Sequence, residues 1–191
     1  RICNILIIES NQNELLELMQ ILRKPGNNIF TAESNKEAIE ILDSKEIAIV
    51  LLDLDSEKLE PNEIIRWINS RDQLLNVHII VTSTRLERMY DAIDHSKKGA
   101  VDYLLKPFKE KLVNTKIGVY KYLNQKQKRV SRLLENILPE QTLKEFRVHG
   151  KSSPKKFNNT SVLFTDFVNF SQITQDMNPD ILIQKLDYYF S

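Results

Sequence analysis

Cysteine is nearly absent from this sequence: Cys3 stands alone, inside an apolar run. One thiol excludes an internal disulfide and fits a reducing, cytoplasmic setting. Long hydrophobic runs are missing as well, so no segment reaches membrane-spanning length and no signal peptide is visible. An excess of charge of one sign is also lacking. Lys and Arg number 27 against 26 Asp and Glu, for a net charge of +1. That balance argues against a nucleic-acid role by bulk electrostatics. It is unevenly spread, because residues 106–156 hold 14 Lys and Arg against 4 Asp and Glu. Such a basic run is most often a solvated linker face. The chain opens on Arg1 rather than Met, as expected of a trimmed segment.

What is present gives 191 residues, 41% of them apolar and 28% charged, enough for one ordinary domain and a remainder. The first hundred residues alternate β-rich runs with helical ones. CNILIIE (3–9), NIFTA (28–32), IAIVLLD (47–53), VHIIVT (77–82) and VDYLL (101–105) read as strands. The third and fourth are nearly continuous in Ile, Val and Leu, as strands covered on both faces require. Helix starts are legible between them. Asn11-x-x-Glu14, Ser34-x-x-Glu37 and Thr84-x-x-Glu87 have capping-box spacing, and Pro61 suits a first helical turn. Five βα units predict a doubly wound parallel sheet with right-handed crossovers.

A long helix comes next, over 109–138. Gly118 is the only helix breaker within it. Leu112, Lys116, Val119, Leu123, Lys126, Val130, Leu133 and Ile137 alternate at spacings of four and three, which predicts a heptad seam. A seam so narrow, wrapped in Lys, Arg, Gln and Asn, suits a partner helix better than a globular core. The expectation is a parallel homodimer in which this helix couples the N-terminal domain to the C-terminal segment. No helix-turn-helix pattern comes after it, so sequence-specific DNA binding is not expected.

In doubly wound sheets the chemistry collects at the carboxyl ends of the strands. Here those ends carry Glu9-Ser10, Asp53 with Asp55 beyond it, Thr82-Ser83 and Lys106-Pro107-Phe108. Acid, hydroxyl and ammonium thus come to one rim from four strands. LLDLD, VTS and GAVDYLLKPF, in that order, resemble the receiver domain of two-component response regulators. The resemblance implies a flavodoxin-like five-stranded fold and an Asp53 that accepts a phosphoryl group from a histidine kinase or phosphotransfer protein. It implies that Lys106 pairs with the phosphoryl oxygens, that Thr82 bonds one of them, and that Tyr103 responds by changing rotamer. Mg²⁺ would be held by Glu9 and Asp53, with Asp55 as a compensating carboxylate. Receivers normally place a second acid after strand one, where this chain has Ser10. A hydroxyl is a weak ligand for a hard cation, so the expectation is weaker Mg²⁺ binding. The alternative reading is a degenerate receiver that is not phosphorylated and serves to dimerise or dock a partner.

Beyond the helix, PEQTLKEFRVHG (139–150) predicts a short helix with Gly past its end, and KSSPKKFNN (151–159) a polar linker. TSVLFTD (160–166) reads as a buried-type strand ending in Asp166, and Asn178-Pro179 opens an amphipathic helix. NILP, VLFTDFVNFS and the helix after them resemble the opening of a class III nucleotide cyclase domain, an α+β ferredoxin-like fold. That resemblance implies that Asp166 and the Phe167 carbonyl bind catalytic Mg²⁺. It also implies that the amides of Asn169, Phe170 and Ser171 face the nucleotide phosphates, with ATP as substrate. The family's second metal carboxylate would lie beyond Ser191, so these residues alone are expected to be inactive. The resulting division is a receiver over 1–108, a signalling helix over 109–138, a linker over 139–159 and the start of a cyclase domain over 160–191.

Overall fold

The apolar runs find one another in the order that their burial demands. A computed structural model of the chain describes residues 2–71, 74, 76–94, 101–135, 137–139, 142–143, 145–146, 150–154, 156, 158–164, 166–175 and 177–190. Two compact units emerge, Arg1–Ser152 and Ser153–Ser191.

In the first unit, β1 (Cys3–Ile8), β2 (Asn27–Ala32), β3 (Ile49–Asp53), β4 (His78–Ser83) and β5 (Val101–Leu105) form one sheet. Its order is β2-β1-β3-β4-β5 and every pairing is parallel. Strand periodicity sends alternate residues to opposite faces. Ile5, Ile7, Ile49, Leu51 and Ile80 meet Leu15, Leu18 and Leu22 of α1 (Gln12–Leu22) and Val113 and Ile117 of α5 (Glu110–Glu135). Leu6, Ile8, Val50, Leu52 and Val81 meet α2 (Asn35–Ser44), α3 (Pro61–Asn69) and α4 (Leu86–Asp94) through Leu42, Ile64, Ile65 and Met89. Burying each such side chain contributes about 1.5–3 kcal/mol, the main term holding both faces.

Local chemistry starts the helices where spacing predicts, with one exception. The Asn11 side chain accepts from the amides of Asn13 and Glu14, Ser34 accepts from Glu37, and Pro61 opens α3. Thr84 does not cap α4. Its amide donates instead to the Asp55 carboxylate at 2.6 Å, and the helix begins at Leu86. That charge-assisted bond holds Thr84 at the end of β4, one residue before the cap position.

Helix α5 has 26 residues, about 39 Å at 1.5 Å per residue. Lys116, expected in the free seam, is tied to the sheet: its ammonium lies 2.5 Å from Asp102 of β5 and 5.0 Å above the Tyr103 ring. Past α5, residues 142–143 and 145–146 are helical, and Gly150, at φ 67°, donates to the Phe146 carbonyl. Residues 140, 141, 144 and 147–149 of that expected helix lie outside the described residues.

The second unit contains α6 (Phe170–Gln175) and α7 (Pro179–Phe190). Asn178 accepts from the Asp180 amide and caps α7. Phe167 packs its ring against Phe170 and Tyr189 at 5.8 and 5.9 Å. The expected strand over 160–166 is a correction. Residues 160–164 and 166 form no strand, Thr165 lies outside the described residues, and Val162, Leu163 and Phe164 are exposed. An isolated run has no neighbour to take its N–H and C=O groups, and so no ladder forms.

Candidate functional site

The carboxyl edge of the sheet gathers its charged groups into a buried cluster. Glu9 follows β1, Asp53 ends β3 and Lys106 follows β5, and all three are almost fully buried. Parallel strands and their crossovers bring these positions to one rim. The Lys106 Nζ sits 2.7 Å from Asp53 Oδ1 and 3.3 Å from Glu9 Oε2. It also donates to a third carboxylate, Glu14, in the first turn of α1.

Asp53 is held rigidly by its own loop. Its Oδ1 accepts from the Asp55 amide at 3.1 Å and its Oδ2 from the Ser56 amide at 2.8 Å. Thr82 is buried and pairs directly with Asp53 across the β3–β4 register, so its side chain shares the face of the acid. Tyr103 is exposed, with the Lys116 ammonium over its ring.

Burial perturbs the charges strongly. Loss of hydration pushes Glu9 up to about 7. The nearby Asp53 adds to that rise, while the Asn11 amide and the Lys106 ammonium oppose it. Desolvation alone would lower Lys106, but hydrogen bonds to Asp53 and Glu14 raise it above the ordinary lysine range. The ammonium is therefore locked in its charged form, a fixed counter-charge to Asp53.

Asp55 takes a different place from the one expected. Its carboxylate accepts from Ser83 Oγ at 2.6 Å and from the Thr84 amide, and lies 3.8 Å from Arg88 Nη1. Burial would raise it, but these hydrogen bonds hold it below the usual carboxylate range. It ties the β3–α3 loop to the end of β4. Ser10 is likewise engaged elsewhere, its hydroxyl 2.6 Å from that of Ser56.

The carboxylate that joins Glu9 and Asp53 is Glu14. One oxygen from each of the three lies within 4.8 Å of the others. An all-oxygen, all-carboxylate donor set fits a hard divalent cation such as Mg²⁺. Sequence reasoning missed Glu14 because Asn11-x-x-Glu14 reads as a capping box. The available signal was geometric: a helix starting immediately after β1 turns its third residue back over the strand end.

In the second unit, Asp166 is exposed and its carboxylate accepts from the Phe167 amide. Asn169 adopts φ 60°, and Phe170 and Ser171 open α6.

With this geometry in view, comparison with known proteins assigns the family. The model of the response regulator receiver domain matches residues 5–118, more than half of the chain. The chain belongs to that family. It is 26% identical over 113 residues to the alkaline phosphatase synthesis transcriptional regulatory protein PhoP of Bacillus subtilis, covering 59% of this chain and 46% of PhoP. It is 24% identical over 106 residues to Protein PilH of Pseudomonas aeruginosa, covering 56% of this chain and 87% of PilH. The chain therefore spans less than half the length of PhoP. Among solved structures it resembles the receiver domain of the sensor histidine kinase PA1611 of Pseudomonas aeruginosa PAO1, at TM-score 0.56 and 20% identity. That match covers 63% of this chain and 98% of the other, whose magnesium ion is coordinated in the active site cleft. At such identity the likeness is one of fold. Receiver domains bind Mg²⁺ at an acidic site and accept phosphate from histidine kinases. Among the described residues no helix is long and apolar enough to cross a membrane.

Proposed function

We propose that this receiver is competent for phosphoryl transfer, with Asp53 as nucleophile. The observation that carries the reading is the Lys106 ammonium 2.7 Å from Asp53 Oδ1 inside a buried carboxylate cluster. In the transfer an Asp53 oxygen forms the new bond to phosphorus as the bond to the donor imidazole nitrogen breaks. Lys106 offsets charge on the phosphoryl oxygens, and Thr82 offers a hydroxyl on the same face. Mg²⁺, when bound, screens the approach of the two anions. Glu9 and Asp53 would hold it.

On this reading α5 carries the signal to a second copy. The stripe from Val119 to Ile137 is exposed and apolar apart from Lys126, which suits a parallel helix pair. The output is a class III cyclase acting on ATP, begun by residues 160–191. Support for that step is the Thr165-Asp166-Phe167 and Phe170-Ser171 spacing, together with Val162, Leu163 and Phe164, an exposed apolar run. Asp166 and the Phe167 carbonyl would then hold the catalytic metal, with the amides of Asn169 to Ser171 near the phosphates.

The test is labelling by acetyl phosphate with Mg²⁺, with intact mass as the readout. The wild type should gain one phosphoryl group and Asp53→Asn none. An unlabelled wild type would favour the non-phosphorylated docking module.

A further inference from the structure

Receivers position two acids in succession after the first strand, and this chain has Glu9 and then Ser10. Ser10 does not take the second acid's role. Its hydroxyl lies 2.6 Å from Ser56 Oγ, and Ser56 in turn donates its amide to Asp53 Oδ2. It has become a brace for the loop that fixes Asp53.

The missing negative charge comes from one helical turn later. Asn11 caps α1 directly behind β1, accepting from the Asn13 and Glu14 amides. The cap forces the helix to begin at once, and its third residue faces the strand end. From there Glu14 spans the distance with one more methylene than an aspartate has. Its carboxylate shares the Lys106 ammonium with Asp53 and Glu9. Its oxygen lies within 4.8 Å of theirs. With all three carboxylates ionised, the state that a nearby cation favours, the one ammonium leaves two negative charges, the complement of one divalent cation.

Resting on the receiver reading above, we infer that Glu14 is the second acidic metal ligand of this domain, moved from the strand end to the first turn of α1. Magnesium selectivity depends on the count and charge of the oxygen ligands and not on the element that bears them. The relocation therefore preserves the site while freeing position 10 to bond the β3–α3 loop. Glu17, one turn further along α1, is exposed and serves as a control for general charge.

The measurement is calorimetric titration of the 191-residue chain with Mg²⁺ and with Mn²⁺, a direct binding readout independent of labelling. Glu14→Gln should weaken binding by at least about tenfold, the scale on which losing even a supporting group near a metal is felt. Glu17→Gln should leave it unchanged. Adding Ser10→Asp to Glu14→Gln should restore affinity, because the charge returns to the strand end. Wild-type binding that survives Glu14→Gln but fails in Asp53→Asn would overturn the inference and leave the receiver reading intact. Wild-type chain that binds neither ion would defeat the metal-dependent receiver reading, and the inference with it. Circular dichroism of each variant separates loss of a ligand from loss of fold.

Discussion

Two faces of α5 carry nearly the same kind of side chain and meet opposite fates. Val113 and Ile117 are at 0% and 3% exposure against the sheet, whereas Val119 and Val130 are at 51% and 55%. The buried stripe is satisfied within the chain by Ile5, Ile49 and Ile80. Among the described residues, none of the outer stripe joins either core cluster of the first unit, although its heptad spacing is the more regular of the two. A heptad pattern thus marks the surface the domain leaves over, and the irregular stripe beside it is the one that folding uses. Lys116 lies at the join, on the seam by spacing but tied to β5 by Asp102 and Tyr103.

The largest expected effect separates the two faces directly. Ile117→Ala should destabilise the first unit by about 3 kcal/mol, because a buried cavity is left behind. Leu123→Ala, on the outer stripe, should change monomer stability by no more than about 0.5 kcal/mol. Urea unfolding at low protein concentration measures both. Equal losses would mean that the outer stripe is also core.

How much of this is readable from sequence depends on whether a residue's partners lie near it in the chain. The strands of the first unit are legible because Ile, Val and Leu runs recur with helices between them, so each run finds a neighbour. TSVLFTD carries the same local signal, yet residues 160–164 and 166 form no strand. Pairing depends on a second segment, which a single run cannot announce. The rim chemistry is similarly half-visible. Asp53, Lys106, Glu9 and Thr82 emerge from strand ends, and the sheet brings them together. Glu14 and Asp55 exchange their expected places, because a capping-box spacing hides where a carboxylate points. Asp55 is drawn off by Ser83 and Thr84, residues 28 and 29 positions away.

A second prediction places pH sensitivity on the buried face. His78 opens β4 beneath α5, buried, with its ring 5.0 Å from that of Tyr120. Among the described residues its Nε2 has no hydrogen-bond partner. Burial lowers its pKa from the ordinary 6.5. Below 6.5 the unfolded chain binds a proton that the folded chain resists, so unfolding takes up protons and stability rises with pH across this window. The contribution is full above 6.5 and is lost as pH falls through the lowered folded value. Relative to His78→Leu, the wild type should therefore lose melting temperature on the acid side between about pH 5 and pH 8, while Glu9, raised to about 7, gives both proteins the same opposite slope. In His78→Leu that part of the slope should vanish. An unchanged slope would show that His78 does not set it.

The smallest effect tests the join. Lys116 and Asp102 side chains are each 22% exposed, so their ion pair is worth only about 0.2–1 kcal/mol. Lys116→Met keeps an unbranched stem and exchanges the ammonium over the Tyr103 ring for a thioether that also favours aromatic faces, and Asp102 retains its hydrogen bond from the Tyr103 amide. Monomer stability should therefore fall by about 0.5 kcal/mol. The outer stripe, in contrast, gains an apolar residue at its second heptad position, where a cation had cost the helix pair. If a second copy pairs along this stripe, sedimentation should show tighter dimers in Lys116→Met despite the weaker monomer. Opposite signs for the two readouts are the signature of a residue shared between folding and pairing. Weaker dimers would mean that the clamp to β5 orients α5 for its partner, and that the pairing face is set by the domain and not by the heptad.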